Sequence, residues 1–353
     1  MGVASVCFAC LSSYAAFACC WFVMRYAQTA CFPSMGRVAK GWWSEEEIPS
    51  AWGFLATSCR VGAIVAFFVL GPLLAVVHWR GIYVFAGLLA IVVFAYNYRL
   101  LRDHPEASTP SKMRKFSAAV INPSSETDYP LKAFAGECVQ SEKVWLMLGG
   151  MACLTAITEI PSILPMYFRD MHFKDNSTMS HAAASTMVVS YPIGSCLATL
   201  CCGQIYDSLN RKQQMYLISS LLAGACCCFI ALWVMDLQRG PNDDPQLIKT
   251  IVILFFIGVF TAPCYYLPPT FFAMKFGGMK FYATLACALD AAGYMCSILF
   301  FQVVGRRGKA GINWNEVLFT LVVLMFATTG FFVRFMWLEV EKPTKAALEG
   351  LDT

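Results

Sequence analysis

The stretch GQIYDSLNRK, residues 203–212, stands between two of the most apolar runs of the chain, at about 179–206 and 214–236. Apolar runs of about 18 or more residues predict membrane-spanning helices. Asp207, Arg211 and Lys212 fall within a connector that is too short to form an element of its own. We therefore interpret residues 203–212 as a charged turn at one surface of a membrane.

The composition supports the same interpretation for the whole chain. Of 353 residues, 58% are apolar and 14% are charged, whereas soluble domains carry about a quarter charged residues. The runs are apolar on all sides, which is typical of helices in lipid. They lie at about 3–12, 15–36, 51–77, 80–100, 143–168, 179–206, 214–236, 248–274, 281–305 and 316–338. The sequence predicts an all-α polytopic membrane protein with about 9–10 transmembrane helices.

One polar segment divides the chain. Residues 101–142 contain Pro and Ser and are basic in the middle, which is typical of a linker. We predict a partial N-terminal helix bundle at 1–100, a C-terminal six-helix bundle at 143–338 and a tail at 339–353. If the sides alternate at each span, the loops on the linker's side hold about twice as many Lys and Arg residues as the others. This excess predicts that the linker, the charged turn and the C-terminus are cytoplasmic.

The cysteines and histidines indicate neither a metal site nor a cofactor. Most of the 17 cysteines lie inside the apolar runs, where they behave as small apolar residues. Cys7 and Cys10 form a C-x-x-C motif with no second pair and no nearby His. No glycine-rich nucleotide loop and no catalytic His cluster is found, so the sequence predicts no ATP coupling and no enzyme activity. We expect no nucleic-acid partner.

Two segments of the chain resemble each other. LATSCRVGA, residues 55–63, and LACALDAAG, residues 285–293, place Arg60 and Asp290 at the same position. TACFP, from residue 29, and TAPCYYLPP, from residue 261, have a similar offset of about 230 residues. The three spans before the linker then correspond to the last three spans. We expect that most of one repeat is missing at the N-terminus, through truncation or a misplaced start.

The spacing G-x-x-x-D-x-x-x-R-K of the charged turn resembles the signature loop of the major facilitator superfamily, in the copy after its eighth helix. RYAQTACFPSMGRVAKGWWSEEE, residues 25–47, is similar to the fourth helix and the following loop, with Arg25, Gln28 and Pro33 in their usual places and Thr29 replacing the customary Gly. WGFLATSCRVGAIVAFFVLGPLL resembles the fifth helix and KFGGMKFYATLACALDAAGY the eleventh. The resemblance runs from the end of the third helix through the twelfth and implies two pseudo-symmetric bundles around a central cavity.

The resemblance also implies roles for the charged turn and for the substrate. Gly203, Asp207, Arg211 and Lys212 would form a cytoplasmic latch between the two halves; the alternative is an ordinary cytoplasmic turn that collects positive charge. The sequence pattern around Gln28 resembles that of the organophosphate and sugar-phosphate exchangers. The sequence departs from that branch in ACLTAITEIPSILPMYF, which shows Glu159 and no cation, so the phosphate specificity stays open.

Four charged residues lie inside the predicted spans: Arg25, Arg60, Glu159 and Asp290. Each costs about 2.5–3.5 kcal/mol at a helix centre, so we expect none of them to face lipid. By the resemblance, the spans of Arg25 and Glu159 line the cavity and those of Arg60 and Asp290 lie beside it. Arg60 and Asp290 either form a structural ion pair or bind substrate or a proton, and Glu159 is a candidate proton carrier.

Tyr265 and Tyr266 lie among three prolines, Pro263, Pro268 and Pro269. Proline removes a helix hydrogen bond and kinks the chain, and kinked helices mark binding sites in transporters. The two hydroxyl groups are therefore candidates for contact with substrate. The alternative is a pair of aromatic residues at the membrane interface.

These features predict secondary active transport of a small polar or anionic solute by alternating access. Arg25 and Arg60 would attract an anion, and Glu159 and Asp290 would balance charge or carry protons. The expected partners are the solute, membrane lipid and a coupling proton or counter-anion. A different hypothesis is a non-transporting membrane sensor or the truncated remnant of a transporter.

Overall fold

The computed structural model describes the backbone of residues 1–29, 48–100, 130–172, 178–238, 246–306 and 312–342, together with positions 31, 34, 35, 38, 42 and 43. Within those ranges every regular element is a helix and none is a strand. The predicted all-α polytopic class is therefore confirmed.

The helices follow the apolar runs. Before the linker they are α1 (Gly2–Cys10), α2 (Tyr14–Thr29), α3 (Ile48–Val65) and α4 (Trp79–Leu100). After it they are α5 (Leu131–Gln140), α6 (Glu142–Thr158), α7 (Leu164–His172), α8 (Thr178–Met187), α9 (Ser190–Ser208), α10 (Arg211–Leu237), α11 (Leu247–Gly278), α12 (Phe281–Gln302) and α13 (Trp314–Glu341). Beyond α3 the chain continues through a π-helical segment, Ala66–Leu70, into a single α-helical turn, Gly71–Leu73.

Eight helical segments of the described chain are long and apolar enough to cross a membrane. They are Phe54–Leu73, Trp79–Leu100, Glu142–Ser162, Ala182–Tyr206, Arg211–Leu237, Leu247–Gly278, Phe281–Gln302 and Trp314–Glu341. The prediction of about 9–10 helices also counted the short run that forms α1 and the run at 15–36, which continues beyond the described end of α2.

A glycine separates α11 from α12. The helical stretch Leu247–Arg306 is interrupted at Gly278, where φ is 56° and ψ is −156°. This backbone conformation is open to glycine and strained for residues with a Cβ. Pro263, Pro268 and Pro269 lie inside α11, and each removes one backbone donor from the helix.

Two glycines bring α9 and α11 into close contact. A Cβ on Gly194 would lie 2.2 Å from the carbonyl oxygen of Phe255, and a Cβ on Gly258 would lie 2.2 Å from that of Tyr191. No side chain fits at either position, so the two backbones meet directly, as small residues allow in membrane helices. This contact fixes the part of α11 that leads to Tyr265.

The helices before the linker reach the later helices mainly through α3. Helix α1 packs on α2 and α4, whereas α3 packs on α9 and also touches the α11–α12 stretch. The turn Gly71–Leu73 packs on α8. Arg60 lies on α3, so this packing places it against helices from the other side of the linker.

Ion pairs join α6 to α13 at the end of the molecule near the linker. Lys143 Nζ lies 2.7 Å from Glu339 Oε1, and both side chains are only 15% exposed. Arg334 and Glu142 approach to 3.2 Å, but they are 54% and 59% exposed. Helix α5 occupies the last part of the predicted linker, and α13 continues beyond residue 338.

We expect Glu339→Gln to lower the free energy of unfolding by about 1–3 kcal/mol, between the effects of breaking exposed and buried pairs. The substitution leaves Lys143 without its carboxylate in a mostly buried position. Glu142→Gln is the matched control and should cost less than about 1 kcal/mol. Thermal unfolding of the purified variants measures both, and equal losses would contradict the prediction.

Candidate functional site

An open cavity lies between α6, α11 and α12, and its empty space, together with the solvent at its mouth, is about 550 Å³. Four tyrosines and one acid stand out among its lining residues: Met151, Tyr265, Tyr266, Pro269, Thr270, Tyr282, Ala286, Leu289, Asp290 and Tyr294. We name it the tyrosine cavity, after Tyr265, Tyr266, Tyr282 and Tyr294.

Helical spacing brings these side chains together. On α12, Tyr282, Asp290 and Tyr294 are separated by eight and four residues, so they share one face of the helix. On α11, Tyr265 and Tyr266 each have a lining residue four positions later. The sequence predicted Tyr265, Tyr266 and Asp290 as candidates but missed Tyr282 and Tyr294, which the four-residue spacing around Asp290 would have indicated.

Asp290 lines the tyrosine cavity and is half-buried. Its carboxylate is within electrostatic range of the hydroxyl groups of Tyr265, Tyr266 and Tyr282. Among the side chains that the structure describes, none forms a hydrogen bond or a salt bridge with it. A buried carboxylate without a partner is costly, so Asp290 is available to a ligand or a proton.

Arg60 contacts the same group of tyrosines from α3. Its guanidinium carbon lies 5.2 Å from the centre of the Tyr266 ring, which is a cation–π contact. Tyr191 and Tyr265 are also within its electrostatic range. The Nε atom of Arg60 is buried and has no hydrogen-bond partner. Tyr266 therefore touches both Arg60 and the tyrosine cavity.

No hydrogen bond or salt bridge joins Arg60 to Asp290 in the described part of the chain. The structural ion pair considered from the sequence is thus not formed in this structure. Both opposite charges are instead close to Tyr266. Tyr191 Oη lies 3.4 Å from Thr261 Oγ1.

Glu159 and Gln28 do not line the tyrosine cavity. Glu159 follows the end of α6 and accepts a hydrogen bond from Ser162 Oγ at 3.3 Å, and it does not line the tyrosine cavity. Gln28 is half-buried near the end of α2. Arg25 belongs to the same helix, but its side chain lies outside the described residues.

A capping box stabilises the charged turn. Helix α9 ends at Ser208 and α10 begins at Arg211. Asn210 caps α10 in a reciprocal capping box, in which Gln213 N donates to Asn210 Oδ1 at 3.1 Å and Asn210 N donates to Gln213 Oε1 at 3.0 Å. The polar composition of this turn is therefore explained in part by the start of α10.

The four residues of the predicted latch have different environments. Gly203 is buried, whereas Arg211 and Lys212 are exposed. Arg211 borders a second, open cavity, together with Lys275 and Glu339. The side chain of Asp207 lies outside the described residues. The latch function stays a prediction.

No group of three or more His, Cys, Asp or Glu residues in the described ranges is arranged to hold a metal ion. The described site offers one cation, Arg60, and one acid, Asp290, together with aromatic rings and hydroxyl groups.

Residues 1–264 match the family model described as Major Facilitator Superfamily. The chain belongs to the major facilitator superfamily. The predicted superfamily is thereby confirmed, and the eight membrane-length helices of the described chain agree with it.

Two relatives of the chain are named probable hexose phosphate transport proteins. The chain is 21% identical over 276 residues to the one from Chlamydia muridarum (strain MoPn / Nigg), covering 73% of this chain and 58% of the relative. It is 21% identical over 249 residues to the one from Chlamydia trachomatis serovar D, covering 66% of this chain and 53% of the relative. The chain thus spans between half and three fifths of their lengths.

The superfamily match includes only one side of the site. Arg60, the charged turn and Met151 of the tyrosine cavity lie within residues 1–264, whereas the other lining residues of the cavity, from Tyr265 to Tyr294, lie beyond its end. What the cavity binds must therefore be argued from its lining residues and not from the superfamily match.

Proposed function

We propose that the protein carries out secondary active transport of a small polar or anionic solute across a membrane by alternating access. The observation that carries this proposal is the half-buried Arg60, whose buried Nε atom has no hydrogen-bond partner among the described residues. Arg60 contacts Tyr266 at the edge of a cavity that holds Asp290, and Asp290 has no hydrogen-bonded or ionic partner among the described side chains. Charged groups inside membrane helices are costly and usually serve a solute or ion pathway. Membership of the major facilitator superfamily supports the same conclusion.

The proposal assigns a role to each candidate residue. Arg60 attracts the anionic group of the solute, with Arg25 and Gln28 on α2 as further contacts. Tyr265 and Tyr266 supply ring faces and hydroxyl groups. Asp290 and Glu159 balance charge or carry a coupling proton; exchange against a counter-anion is the other form of coupling.

The proposed architecture has two bundles, at 1–100 and 143–338, which rock about the central site while the segment 101–142 joins them and 339–353 forms a tail. The packing of α3 on α9 supports it, because this contact crosses between the two groups of helices. The excess of Lys and Arg supports a cytoplasmic location for the linker, the C-terminus and the latch residues Gly203, Asp207, Arg211 and Lys212.

Uptake into proteoliposomes tests the proposed function. Radiolabelled glucose 6-phosphate, neutral amino acids and monocarboxylates are offered separately, with and without an imposed pH gradient or an internal counter-anion. We expect saturable uptake of at least one solute above that of empty liposomes, driven by one of the two gradients. Binding without uptake of any solute would favour a membrane sensor. A C-terminal tag that is accessible on the outside of intact cells would contradict the proposed orientation.

A further inference from the structure

We propose that the solute is a zwitterion, a small molecule that carries an anionic group for Arg60 and an ammonium group for the tyrosine cavity around Asp290, as an α-amino acid does. The inference rests on the proposed transport function and specifies its substrate class. It starts from the positions of Arg60 and Asp290, which both lie near Tyr266 but do not pair with each other.

The separation of Arg60 and Asp290 is the first argument. Opposite charges that serve only the fold satisfy each other, because a buried charge without a partner is strongly destabilising. Arg60 and Asp290 instead each lack a hydrogen-bonded or ionic partner among the described side chains, although the same ring neighbours both. A ligand with two complementary charges satisfies both groups at once.

The chemistry of the tyrosine cavity is the second argument. A carboxylate surrounded by aromatic rings is a favourable environment for an ammonium group, which gains from the charge and from the ring faces. Four tyrosines border the same cavity as Asp290, and none of the described residues that line it is a Lys or an Arg. The cavity therefore accepts a cation and disfavours an anion.

The sum of the charges is the third argument. A sugar phosphate brings about two negative charges into a site whose described charges are one base and one acid. Its phosphate would satisfy Arg60 but would leave Asp290 unpaired and repelled. A simple amine would leave Arg60 unpaired in the same way. A zwitterion adds no net charge and gives both Arg60 and Asp290 a partner of opposite charge.

Thermal stabilisation of the full, purified chain tests this inference without any variant. Pools of neutral α-amino acids are screened first. The best amino acid is then compared with its decarboxylated amine, with its deaminated carboxylic acid and with glucose 6-phosphate. We expect the amino acid to bind at least about tenfold more tightly than either analogue, since each analogue lacks one buried charge contact.

Asp290→Asn then tests the contact of the ammonium group separately from that of the anionic group. We expect it to weaken binding of the amino acid by at least about tenfold and to leave binding of the deaminated carboxylic acid unchanged. Glu142→Gln removes an exposed acid at the linker end and is the matched control, which should bind both compounds like the unmodified protein.

Three outcomes overturn the inference: stabilisation by glucose 6-phosphate with none by an amino acid, equal binding of the amino acid and its deaminated analogue, and no stabilisation by any amino acid pool. The uptake assay keeps the two proposals apart. Uptake of glucose 6-phosphate alone would support the transport function and contradict the zwitterionic substrate. Amino acid binding without uptake would support a zwitterionic ligand and contradict the transport function.

Discussion

Arg60→Met is expected to lower solute affinity by about 30-fold to several thousand-fold, which corresponds to the loss of about 2–5 kcal/mol on removing one partner of a buried charge contact. The methionine fills a similar volume but offers no charge and no donor. The Nε atom of Arg60 has no hydrogen-bond partner among the described residues, so the substitution breaks no hydrogen bond at that atom. The affinity is measured by titrating the stabilising solute against thermal unfolding, and the uptake rate in proteoliposomes should fall with it.

Two further variants make this result specific. Arg80 stacks on Trp79 at 4.9 Å and donates to the carbonyl oxygen of Ala9 at 2.9 Å, so Arg80→Met removes a similar cation–π contact away from the site. It should bind solute normally. Arg60→Lys retains the charge but loses the planar guanidinium, and we expect an intermediate affinity. Normal affinity in Arg60→Met would remove Arg60 from the site.

Gly258→Ala is expected to have the second large effect, a loss of at least about 1–3 kcal/mol of stability, the usual cost of forcing extra volume into a packed interior. The added Cβ would lie 2.2 Å from the carbonyl oxygen of Tyr191, so α9 and α11 must separate. Because Tyr191 is within electrostatic range of Arg60, solute binding should weaken as well. Thermal unfolding and the monodisperse yield in detergent report the effect.

Gly330→Ala is the matched control on α13. Apart from its chain neighbours and the adjacent backbone of α13, no atom of the described residues lies within 4 Å of a Cβ built on Gly330. Alanine favours a helix over glycine by about 1 kcal/mol, so this variant should be unchanged or slightly more stable. If Gly258→Ala behaved like Gly330→Ala, the close contact between α9 and α11 would be disproved.

The sequence predicted the fold well because hydropathy dominates in a membrane. The apolar runs become the helices, and even the division between α11 and α12 falls where the runs at 248–274 and 281–305 are separated. Gly278 makes the turn, which a glycine-containing connector permits. Where only local composition and length matter, a single sequence is sufficient.

The site was predictable only in part. Tyr265, Tyr266 and Asp290 could be selected because polar groups in apolar helices are costly. The contact between Arg60 and Tyr266 could not, since it depends on how α3 meets α11 across the linker. For the same reason the sequence could suggest an Arg60–Asp290 pair but could not exclude it, and it could not show that Glu159 lies outside the tyrosine cavity.

The π-helical segment Ala66–Leu70 begins less than two helical turns after Arg60. Such a segment holds one residue more than a regular α-helix of the same length, and short stretches of this kind often occur at functional sites. If the extra residue moved out of the segment, α3 before it would rotate by about 100°, the angle between successive residues of an α-helix. That rotation would swing the guanidinium away from the Tyr266 ring while the turn Gly71–Leu73 kept its contact with α8. One end of a helix could thus release a bound anion while the other stays anchored, and distances between spin labels on α3 and α11 would record the movement.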